Sequence, residues 1–249
     1  MISEGIREQA GTLDLQTDLW WLAASLSGIA LAMAGAFAFP ESGLFWAYLS
    51  AFVRISFGVG LSQQPWGTVF GRLLALGLAA ALFSIFPDYL LVRGFGTAQR
   101  AYPSETAAVL ATPPYALLMG AGFVVEAGYA GLRVGGLMVR RWPGQTGLGL
   151  AMLAAGMAAA LWAVGYEFLA VKARWWSYRA GRSVAEEGLA AHVIVAHFFT
   201  FLGFLPLFCR YATCPGTRLY ATLRYGILFA ALSFASVLLS YGLVEAVRP

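Results

Sequence analysis

Seven apolar stretches, each about the length of a bilayer-crossing helix, follow one another along this chain with short polar gaps between them. An α-helix rises about 1.5 Å per residue, so crossing a hydrocarbon core of ~30 Å takes about 20 residues. Runs of that order occupy 20–39, 44–61, 68–91, 106–131, 148–171, 188–208 and 219–244. Within a bilayer the backbone must satisfy its own hydrogen bonds, and a helix does so inside one segment. The expected fold is therefore all-α: a polytopic integral membrane protein built as a bundle of about seven transmembrane helices. Composition agrees, since 60% of residues are hydrophobic and 11% charged and the mean hydropathy is +0.72, outside the range of soluble domains.

The gaps leave no room for an extramembrane domain, so residues 1–249 read as a single helical-bundle domain. Residues 1–19 carry Glu4, Glu8, Asp14 and Asp18 against one cation, Arg7, and lack the basic start of a secretory signal. This acidic segment is expected outside the bilayer core, with the first helix retained as a span. Seven crossings place the N-terminus and the loops near 62, 140 and 213 on one side, the N-side. The loops near 42, 98 and 180 fall with the C-terminus on the other, the C-side. Lys and Arg mark the cytoplasmic face of short loops. Arg93, Arg100, Lys172, Arg174, Arg179, Arg182 and Arg248 on the C-side outnumber Arg133, Arg140, Arg141, Arg210 and Arg218 on the N-side. The expected location is a bacterial inner (cytoplasmic) membrane with the C-side in the cytoplasm. The net charge of +4 then anchors helix ends and makes no nucleic-acid surface. Stretches such as "GLAAALFS" suit close helix contact in lipid, and Cys209 and Cys214 leave one loop disulfide open.

Polar groups at membrane depth are the informative residues, because each costs a few kcal/mol unless it finds a partner or a cavity. Counting from the expected span ends gathers Asp88, Tyr115, Glu167 and His192 into one slab near the C-side, supplied by four helices. These four are the candidate catalytic residues. Trp162, Tyr166, Trp175, Trp176, Arg54 and His197 are the candidate substrate-binding residues, with Arg54 and His197 deepest. Trp175 and Trp176 also read as an interfacial aromatic belt. Glu126, Arg72, Arg133 and Arg224 fall toward the N-side as structural pairs, although Tyr115, Met119, Gly122 and Glu126 share one helical face.

Several chemistries are excluded. His192 and His197, five residues apart, point about 140° apart on a helix, so no metal site is expected. The only lysine, Lys172, lies outside the last span, which removes a retinal-type Schiff base. Neither a phosphate-cradling glycine motif nor a serine nucleophile elbow is present. A carboxylic acid in an apolar cavity stays protonated, can protonate an alkene, and can leave aromatic faces to stabilise the cation formed. Glu167 beside Trp162, Tyr166, Trp175 and Trp176 fits that chemistry.

The order of an acid near a helix end, a tryptophan-rich turn and a further polar helix, here Glu167, Trp175, Trp176 and His192, resembles the polytopic carotenoid hydratases and membrane terpene cyclases. The resemblance covers about 40 residues. It implies a carotenoid or other isoprenoid substrate and a cofactor-independent enzyme, a cyclase or hydratase, needing neither metal nor organic cofactor. Two competing expectations stand beside it. One is a non-catalytic membrane subunit that binds lipid, quinone or pigment within a homo-oligomer or larger complex. The other is a small proton-coupled carrier titrating at Asp88 and Glu167. Expected partners are membrane lipid and an apolar small molecule.

Overall fold

A computed structural model describes residues 2–64, 67–93, 100–103, 110, 112–178 and 191–246. Its helices are α1 (Ile2–Gly11), α2 (Leu15–Met33), α3 (Gly43–Ser62), α4 (Thr68–Arg93), α5 (Pro114–Arg141), α6 (Gly144–Lys172), α7 (Ala191–Leu202), α8 (Phe204–Ala212) and α9 (Arg218–Ala246). Among the described residues six helical segments are long and apolar enough to cross a membrane: Leu15–Ala38, Pro40–Ser62, Thr68–Leu91, Pro114–Arg141, Gly144–Lys172 and Arg218–Val244. α7 and α8, bent by 43° at Gly203, make a seventh when taken as one broken span. The protein is a multi-pass membrane bundle. The expected starts of the fourth and sixth spans, Thr106 and Gly188, and the cations Arg179, Arg182 and Arg248 lie outside the described residues.

Local chemistry sets the helix ends. Asp14 caps α2: its carboxylate accepts from the Thr17 N–H at 2.8 Å, and the Thr17 hydroxyl accepts from the Asp14 N–H at 2.9 Å. The backbone N–H bond from Thr17 holds the exposed Asp14 carboxyl below the usual range. α5 and α6 start after extended prolines, Pro113 and Pro143. A proline in the first turn has no hydrogen bond to lose. α2 runs on through a π-helical turn, Ala34–Ala38, before the chain reverses at Phe39. Pro87 inside α4 withholds the N–H that would bond the Phe83 carbonyl, one residue before Asp88.

α6 closes with a Schellman motif. Arg174 takes the left-handed conformation (φ 58°), and the N–H groups of Arg174 and Trp175 donate back to the carbonyls of Val171 and Ala170. This reversal turns Trp175 and Trp176 into the protein, where they are 1% and 2% exposed. The expectation of an interfacial belt is thereby corrected: both rings belong to the interior. The start of α3 approaches the same turn closely, for a Cβ on Gly43 would stand 2.2 Å from the Ala173 carbonyl oxygen. A two-residue antiparallel pairing of β1 (Arg100–Ala101) with β2 (Ser177–Tyr178) ties the segment after α4 to the segment after α6.

α5 is the central helix. In its most apolar stretch 72% of residues are buried, against 22% for α9, which faces outward. The core around it stacks Phe201, Phe204 and Phe208 in series. α1 lies against the N-side ends of the bundle, where Arg140 donates to the Ala10 carbonyl and Arg72 donates to the Gln9 side chain. Arg133 pairs with Asp18 at 2.6 Å, the structural role expected of it. Cys209 and Cys214 are both free thiols.

Candidate functional site: a membrane cavity backed by a buried ion pair

A partly open cavity of about 150 Å³ lies between α4, α5, α7 and α9 at the C-side half of the bundle. Each wall comes from a different local cause. α4 presents small residues, Ala80 and Ala81, then Ser84 and Asp88 around the interruption at Pro87. α5 contributes Phe123 and an open position at Gly120, where an added Cβ would meet nothing within 4 Å. α7 supplies His197, Thr200 and Phe201 just before its break, and α9 supplies Phe229 and Ser233. Tyr166 of α6 and Trp176 of the reversed turn close one end.

Four of the ten residues expected at the site line this cavity: Asp88, Tyr166, Trp176 and His197. Three others hold its wall from behind. The Tyr115 hydroxyl, fully buried, donates to the Trp175 carbonyl. The Trp176 indole N–H donates to Glu167 at 2.9 Å, and Glu167 itself is 1% exposed. Glu167 therefore positions an aromatic wall and is not part of the cavity surface. His192 stands apart, its ring 6.0 Å from that of Tyr241 on α9, whereas the His197 ring lies 4.4 Å from Phe123. The two histidines diverge, as their spacing requires.

Glu167→Gln keeps an oxygen that can accept from Trp176, so little change in stability is expected. Glu167→Leu removes the carboxylate that a buried indole N–H donates to and should cost about 1–3 kcal/mol, with a shift in tryptophan emission that reports the change around the ring. Thermal unfolding and fluorescence of the two variants check this.

Arg54 and Trp162, expected to touch substrate, belong to a second network. Arg54 Nη1 donates to Glu126 Oε2 at 2.5 Å, and the Trp162 indole N–H donates to the same oxygen at 2.9 Å. Trp21 donates to the Glu126 backbone carbonyl at 3.1 Å, and the Arg54 Nε–H reaches Ser50 Oγ at 3.4 Å. The guanidinium lies 5.4 Å from the Tyr166 ring centroid, a cation–π contact. Arg54 and Glu126 are 7% and 5% exposed. Room for the arginine comes from Gly28, where a Cβ would stand 2.8 Å from Nε.

The sequence reading puts Glu126 toward the N-side, whereas in the structure it lies near the middle of α5. The cause is the helix start: counted from Pro114, Glu126 lies 126 − 114 = 12 residues in, and counted from Gly43, Arg54 lies 54 − 43 = 11 residues in. At about 1.5 Å per residue both sit roughly 17 Å from the same end, so the charges meet at equal depth. The shared face of Tyr115, Met119, Gly122 and Glu126 is buried throughout. Tyr166 joins the two networks, since it lines the cavity and covers Arg54.

Comparison with known proteins gives a family and no function. The family "Domain of unknown function (DUF6989)" matches residues 85–244, and the chain belongs to it. No curated protein and no solved structure matches. The matched region runs from the Asp88 segment of α4 through α9, so it includes most of the cavity wall and Glu126 but leaves Arg54 outside.

Proposed function

We propose that this DUF6989 protein binds the end of an isoprenoid-like, membrane-dissolved molecule in the cavity and exchanges a proton with it through Asp88 and His197. The observation that carries this reading is the pairing of those two proton-handling side chains with an aromatic wall, Phe123, Tyr166, Trp176, Phe201 and Phe229, around one void. Size sets the class of ligand. A cavity of about 150 Å³ holds a molecule of roughly benzene's size, which is one ring or about one isoprene unit. A longer chain must therefore leave its remainder among the lipid tails, and the open side of the cavity supports that arrangement. The excess of Arg and Lys at the C-side supports a cytoplasmic orientation for the cavity end.

The resemblance around Glu167 supports the isoprenoid class, with the acid moved from Glu167 to Asp88. The acid in the wall is Asp88, and Glu167 serves Trp176. Purification in mild detergent followed by solvent extraction, absorption spectroscopy and mass spectrometry tests the proposal. An isoprenoid at near-stoichiometric amount is the expected result. Recovery of bulk phospholipid alone, or of a tetrapyrrole, overturns it.

A further inference from the structure

We propose that the end of the molecule held in the cavity carries a hydrogen-bond donor, an alcoholic or phenolic hydroxyl, and is neither a bare hydrocarbon nor an acceptor-only ether. The proposal rests on the cavity reading above and follows from how the polar wall groups are already committed. A serine or threonine hydroxyl has one hydrogen and two lone pairs. Ser84 gives its hydrogen to the Ala81 carbonyl at 2.8 Å, and Thr200 gives its hydrogen to the Ala196 carbonyl at 2.8 Å. Each can therefore only accept from the cavity. The Trp176 N–H, a donor by nature, is spent on Glu167.

The wall groups of fixed sense are thus acceptors. Among the other polar wall groups, the Ser233 hydroxyl can turn either way. A hydroxyl on the ligand satisfies such a wall. An ether or an alkene gives the Ser84 and Thr200 hydroxyl oxygens no hydrogen to accept, and that loss is what selects against it.

The test is equilibrium binding of three probes to delipidated protein in detergent micelles: farnesol, its methyl ether, and the hydrocarbon farnesene. Wild type, Gly120→Phe, and Thr200→Val are compared, the last being nearly isosteric and lacking the acceptor. Farnesol binding at least roughly tenfold tighter than the other two, abolished by Gly120→Phe and with its preference reduced by Thr200→Val, is expected. Equal affinity for all three probes, still abolished by Gly120→Phe, overturns the donor proposal and leaves the cavity reading standing. Failure of every probe to bind, or binding that Gly120→Phe leaves unchanged, overturns both.

Discussion

Glu126→Leu should destabilise the protein by about 3–5 kcal/mol, the cost of leaving one member of a buried ion pair without its partner. In a chain of 249 residues that corresponds to a fall in Tm of roughly 6–20 °C. The size of the effect follows from what Glu126 does. It neutralises Arg54, receives the Trp162 indole N–H, and sits where α3, α5 and α6 meet. Removing it leaves a guanidinium in the interior with Ser50 and the Tyr166 ring as its remaining described partners. The double substitution Arg54→Met with Glu126→Leu removes both charges and should recover most of the loss, because a buried pair is itself close to neutral in stability compared with apolar residues of similar volume. A double-mutant cycle on thermal unfolding in detergent measures the coupling. Additive losses would mean that the two charges do not meet.

The second large effect concerns activity. Among the described residues lining the cavity Asp88 is the only carboxylate. Asp88→Asn keeps the shape of the side chain and removes its ability to exchange a proton at neutral pH. Loss of a positioned acid or base typically costs a factor of about 10²–10⁴ in rate. Incorporation of carbon-bound deuterium from heavy water into the bound molecule is the readout, and it should fall by that order while occupancy stays close to wild type. Glu167→Gln should leave the incorporation rate nearly unchanged. The reverse outcome, incorporation surviving Asp88→Asn and lost in Glu167→Gln, returns the catalytic role to Glu167.

The number of spans was legible because a bilayer imposes a length and an absence of charge that few other environments demand. Depth within a span was legible only where the helix end was legible. Placing the fourth span at Thr106 put Glu126 on the N-side; the usable signal was Pro113 and Pro114, since a residue before proline is turned away from helix and proline favours the first helical position. With the start at Pro114 the match of Glu126 to Arg54 follows from counting alone. The inward turn of Trp175 and Trp176 carried no such signal. Its left-handed residue is Arg174 where a glycine would have announced the motif. Pro206 sits in the first turn of α8, and the bend falls just before it, at Gly203. What joins Glu167 to Trp176 and keeps it out of the cavity is a contact between a helix and the reversal after it, which residue spacing does not encode.

The central claim, that the cavity holds a lipid-soluble molecule, is tested most directly by native mass spectrometry of wild-type protein beside Gly120→Phe. Position 120 lines the void, an added Cβ there meets nothing within 4 Å, and a phenyl ring is about the size of the space. Wild type should carry one apolar molecule per chain, and Gly120→Phe should fold with the same Tm and carry none. Equal occupancy in the two proteins would contradict the claim.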